Sequence, residues 1–331
     1  MAIGSKILLQ RLSYVIYEHP DVTKFFTFAE DFGFELAAKS ENGEIFFHGY
    51  GLDPFLYVAR PASGGAPKFH GAGFVARSAI DFQKACNFPG AQLVDVSRRP
   101  GGGEMVRITD PSGYIIEVVH GQEERFVPQQ GISVVAGGRP QVNGAVQKTR
   151  KEPAQREGVF NRMTSGPSKV HKLGHFGYTT DNYAKTCSWY SGNFNFKASD
   201  IVHKLGDPST EFMSFFHVDL GEEYTDHHCL LIAAHHSSGS GTSIHHSSFE
   251  VEDLDTEMMG HSWLASKGYK PMWGIGRHVM GSQLFDYWYD TTGFIVEHYS
   301  DGDVVNEECP TIRSAGTPAA IWGPPLPTKW D

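Results

Sequence analysis

An α+β fold built from four βαβββ modules is predicted for this chain, on three observations. Short strand patterns and a helix follow one another in the order βαβββ, twice in each half, with turn signals between them. The halves also match at equivalent points. DPSGYIIEVVHG (Asp110 to Gly121) resembles DTTGFIVEHYSD (Asp290 to Asp301), and RLSYVIY (Arg11 to Tyr17) resembles KLGHFGY (Lys172 to Tyr178), so duplication is the simplest account. Between the halves, residues 122–170 are polar and rich in Gly, Pro and Lys/Arg, as expected of a linker or of a chain wrapping a surface. At 331 residues the chain is longer than one core usually supports. The expected organisation is therefore an N-terminal domain over 1–121, a linker over 122–170, a C-terminal domain over 171–300 and a tail over 301–331.

In the third module, Lys172 to Thr180 reads as a strand and Asn182 to Ser191 as a helix. Phe212 to Leu220 and Cys229 to His235 read as later strands. The fourth runs the same way. Ser243 to Val251 is its first strand, Asp255 to Lys267 its helix, and Leu284 to Asp290 with Gly293 to Tyr299 its closing hairpin.

Composition is that of an ordinary globular protein, with 40% hydrophobic and 20% charged residues. The 28 Lys and Arg against 38 Asp and Glu leave a net charge of −10, with no basic cluster long enough to follow a phosphate backbone, so nucleic acid is not an expected partner. No run approaches the ~20 apolar residues of a membrane span, and the opening MAIGSKILLQRLSY lacks the apolar stretch and small-residue cleavage site of a secretory signal. Cys86, Cys187, Cys229 and Cys309 form no CxxC pair, which suits reduced thiols. These readings predict a cytoplasmic protein without disulfides or a thiolate metal site. Histidine is the informative residue. Four of the 17 precede residue 170 and the other 13 fall between His171 and His298, which points to chemistry in the second half.

Paired βαβββ modules together with LGH, IHHSSF, GRH and IVEHY, in that order, resemble the type I extradiol ring-cleavage dioxygenases of the vicinal oxygen chelate superfamily, which also includes glyoxalases and bleomycin resistance proteins. The closing WGPP (Trp322 to Pro325) looks like the tail of that family. The resemblance spans nearly the whole chain. It implies that the modules pair into two open barrel-like domains, with the active site inside the C-terminal one. It also implies a homo-oligomer and a role in aromatic compound metabolism.

Within the resemblance, His175 in LGHFGY, His246 in IHHSSF and Glu297 in IVEHY match the metal ligands. Two neutral imidazoles and a carboxylate on one face of a metal leave the opposite face free for substrate and O₂, as non-heme Fe(II) oxygenases need. Fe(II) is the implied cofactor, with Mn(II) as the alternative, and O₂ the cosubstrate. Successive strand side chains face opposite ways, so only one of His245 and His246 can point inward. The family pattern favours His246, which leaves His245 outward-facing or behind the ligand.

The N-terminal half serves as an internal control. It has Tyr14 at the position of His175, Gly71 at that of His246, and only Glu117 opposite Glu297. If the loops Pro111 to Gly113 and Thr291 to Gly293 close two hairpins, Asp110 pairs with Tyr114 and Asp290 with Phe294. Counting back three residues sets Arg107 opposite Glu117 and Tyr287 opposite Glu297, each pair on one face. Glu117 is thus expected to be an ion-paired structural relic.

Three further residues resemble the family's acid-base and substrate-binding positions. His228 in DHHCLLI matches the histidine that takes a substrate proton and returns one to oxygen, a role that suits an imidazole with an unperturbed pKa of ~6.5. His278 in GRHVMG and Tyr287 match substrate-binding groups, and Arg277 is placed beside them for charge balance. The implied reaction is cleavage of a catechol-type ring beside its two hydroxyls, giving a muconic semialdehyde-type product. At Gly177, two residues after LGH's histidine, many relatives carry an amide-bearing or branched residue, which suggests a larger or altered substrate. His217, His235, His236 and the loop Ser237 to Thr242 read as solvated. Two rivals remain open, since a fold does not fix a reaction: a redox-neutral isomerase or lyase using Zn, Ni or Mn, and a non-catalytic small-molecule-binding protein.

Overall fold

Each module becomes a strand, a helix and three more strands, the third with a short extra strand before its last. The computed structural model describes residues 6–126, 164–235, 241–316 and 318–327, so most of the expected linker and residues 236–240 lie outside the described residues. The first two modules supply β1 (Leu9–His19), α1 (Val22–Phe32), β2 (Glu35–Lys39), β3 (Ile45–His48), β4 (Tyr57–Pro61), β5 (Lys68–Ala76), α2 (Ala79–Cys86), β6 (Gln92–Val94), β7 (Glu104–Thr109) and β8 (Ile115–His120). They form one sheet in the order β2-β3-β4-β1-β5-β8-β7-β6.

The second pair supplies β9 (Leu173–Thr180), α3 (Tyr183–Asn193), β10 (Phe196–Lys204), β11 (Asp207–Val218), β12 (Thr225–Asp226), β13 (Leu230–Ala234), β14 (Thr242–Glu250), α4 (Leu254–Ser266), β15 (Pro271–His278), β16 (Leu284–Tyr289) and β17 (Ile295–Ser300). The chain ends in β18 (Val304–Val305), β19 (Ile312–Ala315) and β20 (Ala320–Trp322). Ten of these strands make the second sheet, ordered β19-β10-β11-β13-β9-β14-β17-β16-β15-β20, while β12 pairs with β18. Both large sheets are open, and the class is α+β as expected.

The central four strands follow one plan in both sheets. β1 and β5 are antiparallel, each flanked by a parallel neighbour (β4 and β8), and β9 and β14 repeat this with β13 and β17. The closing hairpins also repeat. Oδ1 of Asp110 accepts the backbone N–H of Ser112 and Tyr114, and Oδ1 of Asp290 accepts those of Thr292, Gly293 and Phe294. The third loop residue is glycine in each, at φ 91° and 100°, a left-handed backbone that costs glycine nothing. The register read from the sequence is the one found: Arg107 faces Glu117 and Tyr287 faces Glu297.

β11 starts five residues earlier than expected. Asp207 to Glu211 is polar and reads as loop, but the turn at Gly206 (φ 80°) brings it against β10, whose ladder extends the strand to Asp207. Pairing overrides propensity here.

Strand alternation divides the interior in two. Val15 and Tyr17 of β1 face a large core shared with Phe176, Tyr178 and Phe249 of the second sheet, sealed by contacts such as Phe69 on Phe176. Tyr14 and Ile16 face the other way, into a cluster with Phe46, Phe55, Val58 and Met105 on the opposite side of the first sheet. In the second sheet the corresponding side carries His175, and its chemistry differs accordingly. No described helix is long and apolar enough to cross a membrane, and all four cysteines are free.

Candidate metal centre

Three adjacent strands, β9, β14 and β17, bring the predicted ligands together. Ser248 on the middle strand pairs with His175 on one side and with Glu297 on the other, while His246 lies two residues before it and so shares their face. All three side chains are buried, and their ligand atoms lie within 4.8 Å of one another. Nε2 of His175 is 2.9 Å from Nε2 of His246, and Oε2 of Glu297 is 3.2 Å and 3.4 Å from these two nitrogens.

The donor set fits a divalent metal. Two ligands at right angles, each about 2.1 Å from an ion, stand about 3 Å apart, which is the spacing of these three atoms. Both carboxylate oxygens of Glu297 are buried without a hydrogen-bond partner, an arrangement that costs several kcal/mol unless a cation compensates it. Burial pushes the Glu297 carboxyl upward, but contact with His175 and His278 and the charge of the neighbouring imidazoles hold it well below the usual carboxylate range. Burial and the adjacent His245 push His246 well below the usual histidine value. Carboxylate and neutral imidazole are the protonation states that ligate.

His228, His278 and Tyr287 flank this group. The His228 ring centroid is 4.0 Å from that of His175, and burial, followed by the charge of the surrounding histidines, keeps His228 neutral. His278 stands 2.9 Å from the Tyr287 hydroxyl and 3.7 Å from Oε1 of Glu297 through Nε2, while its Nδ1 donates to the carbonyl of Ala319 at 3.0 Å. The Tyr287 ring lies 5.4 Å from the His246 ring, and burial and the Glu297 charge raise its phenol well above the ordinary value, so it remains a hydroxyl. Trp273 and Phe285 pack on Tyr287 and His278.

Three expectations need correction, those for Arg277, for strict alternation at His245 and for His217. Arg277 does not join the group: its guanidinium donates to the Ser282 carbonyl at 2.6 Å and pairs with Asp301 at 2.8 Å, so it is already satisfied near the surface. Strict alternation fails at His245, where a register shift between Ile244 and His246 brings Nδ1 of His245 within 2.6 Å of Nδ1 of His246. Of the two places expected for His245, it takes the one behind the ligand. At Gly177 a Cβ would stand 2.9 Å from Cβ and Cδ2 of Leu231, which occupies that space. His217 is buried on β11 with its Nδ1 2.6 Å from the Ser199 hydroxyl, whereas His235 is half-exposed as expected and His236 lies outside the described residues.

The sequence reading also missed partners. His227, beside His228 in the DHH run, is buried against Asp200, and Ala319 in the tail holds His278. The histidine doublet signalled the first; nothing in the sequence around Asp200 or Ala319 signalled the others.

The N-terminal counterpart is filled differently. The strand register equates Tyr14 with His175 and Gly71 with His246. Glu117 accepts hydrogen bonds from Arg107 (2.8 Å), Arg99 (3.0 Å) and the Tyr14 hydroxyl (2.7 Å). Among the described residues, the only group of three or more side chains placed to share a metal is His175, His246 and Glu297.

Fold and site together describe paired βαβββ modules with a buried His-His-Glu group in the second sheet. Residues 172–298 match the family model of the Glyoxalase/Bleomycin resistance protein/Dioxygenase superfamily. Metapyrocatechase 2 of Cupriavidus necator is 28% identical over 241 residues, which cover 72% of this chain and 66% of that protein, just under two thirds of its length. Among solved structures, homoprotocatechuate 2,3-dioxygenase of Brevibacterium fuscum superposes with a TM-score of 0.77 at 16% identity, over 99% of this chain and 93% of that one. The Mn(II)-bound glyoxalase of Novosphingobium aromaticivorans superposes with a TM-score of 0.73 at 20% identity, over 97% and 95%. At these identities the structural likeness establishes the fold.

Proposed function

We propose that this chain is a non-heme Fe(II)-dependent extradiol dioxygenase, which opens the ring of a catechol-type substrate with O₂ to a muconic semialdehyde-type product. The observation that carries the reading is the placement of His228, His278 and Tyr287 around the His175, His246 and Glu297 set. A metapyrocatechase relative supports it.

Fe(II) held by these three residues supplies Lewis acidity and an electron path between an aromatic diol and O₂. His175, His246 and Glu297 would hold the metal. His228, neutral and buried beside His175, takes a substrate proton and returns one to oxygen. Tyr287 and His278, fixed against each other and against Ala319, orient the substrate hydroxyls. We place the catalytic unit at 171–300, with 1–121 as its metal-free partner, in a cytoplasmic homo-oligomer.

The second reading is a redox-neutral isomerase or lyase, favoured by the superposition on a Mn(II)-bound glyoxalase. O₂ uptake by protein loaded anaerobically with Fe(II), across a panel of catechols and beside His246→Ala, separates the two. Uptake with a yellow ring-opened product, absent in the variant, is the expected result. Stoichiometric metal without uptake on any diol overturns the dioxygenase in favour of redox-neutral chemistry. Ligand binding that survives His246→Ala with no turnover would point instead to a binding protein.

A further inference from the structure

His228 carries one hydrogen bond, and it leads away from the metal group. Its Nδ1 lies 3.2 Å from Nδ1 of His227, whose Nε2 lies 2.7 Å from Oδ2 of Asp200. Asp200, His227 and His228 are all buried, at 5%, 6% and 3% exposure, so water does not compete for these bonds. We propose that Asp200 and His227 are positioning residues that fix His228 as its Nδ1–H tautomer, leaving Nε2 as the bare proton acceptor. This rests on the reading of His228 as the pocket base.

The direction of each bond follows from donor and acceptor capacity. A carboxylate oxygen accepts, so in this arrangement His227 donates to Oδ2 of Asp200 through Nε2. An imidazole with its proton on Nε2 has a lone pair on Nδ1, so His227 then accepts there and His228 donates. The single proton of neutral His228 is then on Nδ1. Among the described residues, its Nε2 has no hydrogen-bond partner. The acceptor is therefore free for a substrate hydroxyl instead of being spent within the protein. A buried carboxylate that selects the tautomer of a catalytic imidazole is an established device, here drawn out through a second imidazole.

His227 is held so that its ring has little choice. Its backbone N–H donates to the Asp303 carbonyl at 3.0 Å, and its carbonyl accepts the Ser199 hydroxyl at 2.5 Å. Gly281 leaves room for the ring, since a Cβ there would stand 2.9 Å from Nδ1 of His227. The competing arrangement, His227 doubly protonated on Asp200, would make His227 the donor to His228 and move the His228 proton to Nε2.

The test is long-range ¹H–¹⁵N NMR of the Zn(II)-loaded, ¹⁵N-histidine-labelled protein, with the His228 signals assigned from His228→Gln. The expected wild-type pattern is a protonated Nδ1 and an unprotonated Nε2, with Asp200→Asn shifting the population toward Nε2–H. In the Fe(II) enzyme, Asp200→Asn should lower kcat by about 10-fold or more with KM for catechol little changed, and should have no further effect in a His228→Gln background. A protonated Nε2 in the wild type overturns the assignment, and that measurement needs no variant to fold. Equal slowing of the wild type and His228→Gln by Asp200→Asn also overturns it. If no catechol is turned over while the wild type shows the expected tautomer, the dioxygenase reading fails and the tautomer assignment stands.

Discussion

Tyr287 lies directly across the ladder from Glu297, and Arg107 lies across the corresponding ladder from Glu117. One framework thus presents a buried carboxylate to a phenol and imidazoles in one half, and to two guanidinium groups and a phenol in the other. Different consequences follow from deleting each charge. Glu297→Ala should lower the bound metal from one per chain to near zero, measured by elemental analysis. Glu117→Gln should leave the metal count at one and destabilise the fold by about 3 kcal/mol, because the largely enclosed Arg99 loses its counter-charge. Urea unfolding checks the second effect, and a metal count of two in the wild type would sink the distinction.

Much of this arrangement could be read before any coordinates. Period-2 strands and paired Asp-x-x-Gly loops specify the hairpin register, and the register alone puts Tyr287 opposite Glu297. What escaped reading depends on contacts between distant segments. The shift at His245 is set by pairing of β14 with β9, and Arg99 reaches Glu117 from outside any strand. Asp200 meets His227 only because β10 folds beside the DHH run, and Ala319 meets His278 only because β20 adds to the sheet edge.

Tyr287→Phe removes the hydroxyl that His278 bonds at 2.9 Å while leaving the ring packed on Trp273. The expected outcome is a loss of about 10-fold in kcat/KM, the equivalent of one hydrogen bond of about 1.4 kcal/mol. Metal content should stay at one per chain. An unchanged kcat/KM would remove Tyr287 from the site.

Arg277→Ala tests the opposite expectation. Because the guanidinium is engaged by Ser282 and a largely exposed Asp301, its loss should leave KM for catechol within about two-fold and cost no more than about 1 kcal/mol of stability. A large rise in KM for a carboxylated catechol, with metal content intact, would restore Arg277 as a substrate contact.

Stability should decline with rising pH through Glu257. Burial pushes its carboxyl up to about 9, with nearby Asp286 and Glu297 adding to the shift, while the Ser300 hydroxyl donates to Oε2 at 2.7 Å. The folded state therefore keeps a proton that the unfolded chain loses near its ordinary value of 4.5. Below that value both states are protonated and nothing is lost. Between about 4.5 and about 9 stability falls as pH rises, by at most about 1.4 kcal/mol per unit, and above that it levels off. Glu257→Gln, which is always neutral, should flatten this slope in urea midpoints collected from pH 5 to 9. An unchanged slope would assign the decline to other groups, of which Asp290, pushed up to about 7, is the next.

Gly177 and Leu231 are cross-strand partners on β9 and β13, and the glycine exists because the leucine leans over it. A Cβ at 177 would stand 2.9 Å from two atoms of Leu231, closer than real Cβ contacts, so Gly177→Ala must displace a buried side chain. Overpacking of this kind costs about 1–3 kcal/mol. Leu231→Ala on its own should also destabilise, by about 2–4 kcal/mol, through the cavity it leaves. The two changes address the same space, so the double variant should be more stable than the sum of the single effects, with a coupling of at least about 1 kcal/mol. Additive losses in thermal or urea unfolding would mean that Leu231 moves aside freely.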